Sequence, residues 1–293
     1  MRLPVRPPFR LDLTVDALRR LADNSVDVVA EDATFYRAVR DDLGVALLNV
    51  RASGARSIEM RATGRDGERW LPLTDRMLGA RVDLRQWYER SAKIGWLRPL
   101  SARLAGVKPP RYPTVWEACA HAVVFAQISI YAGAAIMRRL VELLAEEVVA
   151  GEVRCRLFPD PTRWLAADEP ALRAAGLSRN KVAHVRSIAS AFADGTIRES
   201  DLEALTTPQA SERLVAVRGI GPWSAAVVLL RGLGRLDVFP LRDSGVARSV
   251  ALIAGENVDM DAVLETLGPE RGMLYFHLLL SRSETHRAQP VRG

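Results

Sequence analysis

Cysteine is almost missing from this chain. Its 293 residues contain Cys119 and Cys155 alone. Two thiols cannot ligate a four-cysteine iron–sulfur cluster or zinc site, and they make no disulfide framework. Histidine is scarce as well. His121, His184, His277 and His286 lack the spacing of a metal site and read as structural or surface residues. No metal or cofactor is therefore expected from these side chains. Lysine is limited to Lys93, Lys108 and Lys181 among 41 basic residues, an arginine bias that genome composition suffices to explain. No apolar run reaches the roughly 18 residues of a membrane span without a charge. The opening Met1-Arg2-Leu3-Pro4 has no apolar segment of a signal peptide. A reducing cytoplasm is the expected setting, with no membrane partner.

What is present is ordinary globular material. Apolar residues make up 48% and charged residues 26%, which argues against a disordered chain. The net charge of +6 is modest and suits a polyanion partner.

The pattern changes along the chain. Residues 1–80 read as a small antiparallel α+β unit. Phe9, Leu11 and Leu13 alternate with Arg10 and Asp12, as in a strand. Val15, Leu18 and Leu21 take helical spacing over 15–22. Ile58, Met60 and Ala62 alternate with Glu59 and Arg61, and Gly64-Arg65-Asp66-Gly67 predicts a hairpin turn into Trp70-Leu71. From about residue 84 the pattern is helical. Pro109-Pro110-Arg111-Tyr112-Pro113 reads as a rigid loop, and Thr114-Val115-Trp116-Glu117 as a capping box. A long helix is expected over 130–149, ending at Gly151. Further helices start at Asp168-Glu169-Pro170, Ser178 and Thr207-Pro208.

The strongest local signal is Leu214-Val215-Ala216-Val217-Arg218-Gly219-Ile220-Gly221-Pro222-Trp223-Ser224-Ala225. One helix ends at a glycine, a short turn follows, and Pro222 restarts a helix. Gly219 and Gly221 read as backbone positions closed to a side chain. Ile220 between them is expected to plug into the helix pair. The unpaired amides of the new helix suit an anion such as a DNA phosphate, which they bind without reading sequence. The plainer alternative is a simple turn between two helices.

This string resembles the helix-hairpin-helix of the HhH-GPD DNA glycosylase superfamily. The continuation Leu236-Asp237-Val238-Phe239-Pro240-Leu241-Arg242-Asp243 resembles that superfamily's Gly/Pro-rich loop and aspartate. The wider chain is most similar to the 3-methyladenine DNA glycosylase II family. Pro7-Pro8-Phe9, Phe125-Ala126-Gln127-Ile128-Ser129, Phe158-Pro159-Asp160-Pro161, Leu172-Arg173-Ala174-Ala175-Gly176-Leu177 and Ser178-Arg179-Asn180-Lys181 carry the likeness. It implies an α+β, mainly α fold. A small N-terminal antiparallel sheet domain over 1–80 would precede a two-part all-helical body over 81–293. The body's core would span about 101–235, and its second part about 81–100 plus 236–293.

The resemblance also implies a reaction: hydrolysis of the N-glycosidic bond of an alkylated purine in double-stranded DNA, by a monomer. It assigns catalysis to Asp243 and an intercalating wedge to Tyr112. It admits a monovalent cation at the hairpin. The chemistry agrees. A damaged base must leave the stack to be reached, and a wedge must fill the gap. A carboxylate stabilises the sugar cation and activates water, and Asp243 is expected to cap the next helix, whose N-terminus favours a negative charge. Trp223 stands where strand-nicking members carry lysine, so a monofunctional hydrolase is expected. Trp223 would form one wall of the base pocket, attractive to a cationic base. Arg218 and Arg179 are expected to flank the bound phosphates. Val227, Ser244 and Glu270 stand where pocket aromatics would be expected, with Phe125, Tyr131, Phe239, Tyr275 and Phe276 as candidate replacements. Two alternatives stay open: the same fold acting on deaminated or oxidised bases, and a non-catalytic damage-binding module.

Overall fold

The computed structural model describes residues 1–20, 24–64 and 66–287, with side chains through Ser281. Strands β1 (Arg2–Pro4), β2 (Asp27–Val29), β3 (Phe35–Asp41), β4 (Gly44–Ala52) and β5 (Ser57–Ala62) form one antiparallel sheet in the order β1-β5-β4-β3-β2. Register follows from the period-two pattern. Val50 lies opposite Met60, and Val39 opposite Ala46. Ala46, Leu48, Val50, Ile58 and Met60 thereby join one buried face.

Two sequence expectations fail here. Leu11 and Leu13 lie in helix α1 (Leu11–Arg19), not in a strand. Leu11, Val15 and Leu18 are spaced for one helical face and are all buried, and that burial outweighs the local alternation. Leu21 lies outside the described residues. Nor do residues 64–67 close a hairpin. The chain passes a short 3₁₀ turn, Gly67–Trp70, into helix α2 (Leu71–Leu78). Pro72 in the first turn suits a helix start and cannot donate to a strand ladder. Arg65 lies outside the described residues.

The body that follows is mostly helical: α3 (Arg85–Ser91), α4 (Leu97–Arg103), α5 (Val115–Phe125) and α6 (Ile130–Leu144) come first. All eleven residues of α5 are buried. Thr114 caps it by accepting from the Glu117 amide at 3.1 Å. The other half of the expected capping box is replaced. The Glu117 carboxylate pairs instead with Arg37 of β3 at 2.5 Å, and Arg37 also pairs with Asp27 at 2.6 Å.

The helix expected over 130–149 stops at Leu144. Strands β6 (Glu147–Ala150) and β7 (Val153–Arg156) form a hairpin across Gly151, whose φ of +62° favours glycine. Its Cys155, with Leu157 just beyond, covers Ala38 and Leu47 on the second face of the large sheet. The body is therefore not all-helical. An uncovered apolar sheet face requires a cover, and the alternating Val148 and Ala150 of β6 with Val153 of β7 supply it.

Helices α7 (Pro161–Ala166), α8 (Glu169–Ala174), α9 (Arg179–Ala193), α10 (Glu199–Ala204), α11 (Thr207–Val215) and α12 (Pro222–Arg231) continue. The last are α13 (Ser244–Ala254), α14 (Met260–Leu267) and α15 (Gly272–Arg287). Besides the cluster under the β6–β7 hairpin, the described residues form two larger buried apolar clusters. One joins the sheet to α5, α9 and α12. The other joins α3 and α4 to α13, α14 and α15, with Ala17 of α1. A cavity of about 660 Å³ is walled by residues from both sides. Among the described residues, no helix is long and apolar enough to cross a membrane.

Candidate active site

Between α11 and α12 the chain makes the expected turn, and its two glycines play different parts. Gly219 has a φ of +101°. A Cβ there would stand 2.5 Å from the His184 Cβ on α9, so both backbone and space require glycine. Gly221 has a φ of −89°, open to any residue, and nothing lies within 4 Å of its missing Cβ. The expectation of a special backbone at Gly221 is therefore corrected. What Gly221 supplies is open space before the helix. Ile220 is buried between them. Pro222 opens α12, and the Ala225 amide closes a helical bond on the Gly221 carbonyl at 2.9 Å. The first amides of α12 have no intrahelical partner. Arg218 beside the turn and Arg179 at the start of α9 are both exposed.

Asp243 sits at the N-cap of α13. Its Oδ1 accepts from the amides of Gly245 at 2.8 Å and Val246 at 3.0 Å. Its Oδ2 accepts from the Trp223 indole Nε1 at 3.1 Å. The helix cap and the indole thus fix the carboxylate from two directions. Arg242 before it adopts a φ of +62°, and the strained step aims Asp243 back at the hairpin.

Trp223 and Asp243 share a cavity of about 660 Å³ with Phe125, Tyr275 and Arg20. That size suits a small organic ligand. Of the aromatics offered as replacements, Phe125 and Tyr275 line it, whereas Tyr131, Phe239 and Phe276 do not. Val227 is fully buried in the core, and Glu270 faces Arg90 at 3.7 Å, both away from the cavity. Ser244 is on its wall.

Tyr112 is not a wedge. It is 1% exposed, stacked on His121 with centroids 4.3 Å apart, and covered by the Arg231 guanidinium at 4.7 Å. The proline-rich loop is tied into the core. The Tyr112 amide donates to the Arg231 carbonyl at 2.7 Å and the Arg111 amide to the Met77 carbonyl at 2.9 Å. His121 and His277 are buried and His184 packs under Gly219, which accords with structural roles. The His286 side chain lies outside the described residues.

The site also contains residues to which sequence reasoning gave no role. The connection from α5 to α6 lines the cavity with Gln127, Ile128 and Ser129. Gln127 has a φ of +59° and is exposed, and Ile128 is half-buried. Lys181 of α9 reaches under this connection and donates from Nζ to the Val124 carbonyl at 2.6 Å. Partial burial lowers the Lys181 pKa. Arg20 enters from the end of α1, far off in sequence, and no local pattern marks it.

A family model described as HhH-GPD superfamily base excision DNA repair protein matches residues 120–266. A putative DNA-3-methyladenine glycosylase of Bacillus subtilis (strain 168), YfjP, is 25% identical over 252 residues, covering 85% of each chain. A solved 3-methyladenine DNA-glycosylase from Archaeoglobus fulgidus superposes with a TM-score of 0.82 at 25% identity, covering 97% of this chain and 98% of that one. An 8-oxoguanine glycosylase/lyase from Clostridium acetobutylicum, solved with double-stranded DNA, shares the fold at a TM-score of 0.75 and 13% identity, covering 95% of this chain and 93% of that one. The matched segment holds the glycine-lined hairpin, Trp223 and the capping Asp243 in one stretch, and on that agreement the chain belongs to the HhH-GPD superfamily of base excision DNA repair proteins.

Proposed function

We propose that the protein is a monofunctional DNA glycosylase, acting as a monomer on double-stranded DNA, that hydrolyses the N-glycosidic bond of a flipped-out alkylated purine such as 3-methyladenine. The observation that carries this reading is the Asp243 carboxylate, held by Trp223 at 3.1 Å on the wall of the cavity behind the hairpin. The names of the Bacillus and Archaeoglobus proteins supply the substrate class.

Behind the turn Gly219-Ile220-Gly221 the unpaired first amides of α12 hold a phosphate, with Arg218 and Arg179 as flanking contacts. Unstacking the damaged base costs a few kcal/mol. Ile128, on the connection that lines the cavity, takes the wedge role in place of the buried Tyr112. The base enters beside Trp223, whose ring face attracts a cationic alkylated base. As the glycosidic bond breaks, its electron pair leaves with the base and positive charge grows on the sugar. The Asp243 carboxylate stabilises that charge. A water then forms the new bond to C1′ and gives its proton to Asp243 or to solvent. An abasic strand and a free base remain.

No amine takes the place of Trp223. Lys181, the cavity's lysine, is committed to the Val124 carbonyl. Asp243→Asn keeps the shape and the cap but carries no charge. It should fold and bind duplex as the wild type does and lose on the order of 10²–10³ in excision rate. Borohydride should trap no covalent adduct with the wild type. Full activity of Asp243→Asn on a 3-methyladenine duplex would leave Asp243 a helix cap only, and a trapped adduct would replace hydrolysis with lyase chemistry.

A further inference from the structure

Of the arginines on the cavity wall that the reaction above does not use, Arg242 and Arg248 are exposed and Arg20 is buried. Arg20 follows the last turn of α1 with a φ of +63°, in the left-handed region that a residue with a Cβ seldom enters. It is only 7% exposed. Its guanidinium carbon lies 4.5 Å from the centroid of the Phe125 ring, and its buried Nε has no hydrogen-bond partner. The same side chain lines the cavity together with Trp223 and Asp243. Burial opposes its charge, but Tyr112, Tyr275 and Asp243 favour it, and the net shift is upward. A buried cation is costly unless acceptors pair with it, and Nε is left without one.

The group is also chemically one-sided. A guanidinium has N–H donors and no acceptor, and it does not lose its charge in proteins. A purine with an exocyclic oxygen at C6 offers it an acceptor. A purine with an exocyclic amine at C6 offers donors that meet donors. We propose that Arg20 is a specificity-determining residue that donates to the exocyclic oxygen of the flipped base, so that the cavity favours guanine-type and hypoxanthine-type lesions over adenine-type ones. This rests on the base-excision reading of the site and narrows its substrate class. Phe125 beneath the guanidinium and the strained end of α1 hold the donor in place.

The clean comparison is 3-methylguanine against 3-methyladenine, which share the position of alkylation and a cationic base. Release of both from methylated duplex DNA is measured by chromatography, alongside hypoxanthine from a defined duplex. Arg20→Met removes the donor and the charge; Arg20→Gln keeps a neutral donor. Arg20→Met should lower release of 3-methylguanine and hypoxanthine by about ten- to a hundredfold and leave 3-methyladenine equal or faster. Arg20→Gln should fall between. Equal loss on all three bases means that Arg20 only supports the fold and overturns the proposal, as does an unchanged ratio. Should the variants not fold, free hypoxanthine and free adenine are titrated into the wild type with Trp223 fluorescence as readout. Tighter hypoxanthine binding supports the donor role, and equal binding overturns it. A wild type that releases no base from any of these duplexes fails differently: it removes the base-excision reading and this proposal with it.

Discussion

Gly219 and Gly221 stand two residues apart in one turn, yet their substitutions should separate cleanly. A methyl at Gly219 meets the His184 Cβ at 2.5 Å and must also hold a φ of +101°. Gly219→Ala should cost about 2 kcal/mol or more in chemical unfolding. Gly221→Ala has free space and an ordinary backbone, and should stay within about 0.5 kcal/mol of the wild type. Gly221→Asp should fold equally well and weaken binding to damaged and undamaged duplexes alike, because it sets a negative charge where a phosphate docks. Unchanged duplex affinity in Gly221→Asp would sink the hairpin as the phosphate site. The sequence marked both glycines but could not tell them apart, since the clash at Gly219 comes from α9. Tyr112 failed for the same reason. Its flanking prolines look like an exposed loop, and the groups that bury it, His121 and Arg231, lie on other elements. Asp243 and Trp223 were legible because local capping and a contiguous motif fix them.

At the level of elements, local signals served well where capping decides and poorly where distant surfaces decide. The starts of α5 and α9 follow from Thr114 and Ser178, whose hydroxyls accept from the third amide onward. The β6–β7 hairpin was not legible, because its cause is the uncovered sheet face around Leu47. The α5–α6 connection is a third kind. Its segment was recognisable as a family pattern, but its position on the cavity wall is a tertiary fact. Gln127 with a φ of +59° turns the chain there, Ser129 caps α6 through the Ala132 amide at 3.2 Å, and Lys181 ties the end of α5 from below. A strained, anchored loop with an apolar tip is what inserting into a base stack requires. Ile128→Ala should leave thermal stability nearly unchanged. It should slow excision from a well-stacked, correctly paired site on the order of tenfold, and much less from a mismatched or bulged site, where unstacking is already partly done. Equal slowing at both sites would remove Ile128 from the wedge role.

On the scale of the whole molecule, buried ionisable groups tie distant parts of the chain together and set its response to acid. Arg37 of the sheet pairs with Glu117 on α5, and burial pushes that carboxyl up to about 7 against the pull of the arginine. His277 of α15 packs on Trp87 of α3 with centroids 4.6 Å apart, and its Nδ1 donates to the Met273 carbonyl at 2.9 Å. Burial lowers its pKa to about 4, and it lowers that of His121 well below the ordinary value as well. An unfolded histidine titrates near 6.5. Between about pH 6.5 and 4 the unfolded chain therefore binds a proton that the folded chain refuses. Stability carried by neutral His277 is complete above that window, declines through it as pH falls, and is level again below about 4. The decline from this residue amounts to about 3 kcal/mol. Surface carboxylates such as Asp83, held to about 2 mainly by its hydrogen bond from Arg85, act only below this range. Glu117 acts the other way across much of this window, because its raised pKa lets the folded chain hold a proton that the unfolded carboxyl releases, so the His277 share is read from urea unfolding of wild type against variant. His277→Gln keeps an amide donor for the Met273 carbonyl and cannot titrate, so the wild type should lose more stability toward acid than this variant does, while His121 and the opposing Glu117 act equally in both. Parallel slopes for wild type and His277→Gln between pH 4 and 6.5 would mean that His277 accepts a proton in the folded state, against its burial.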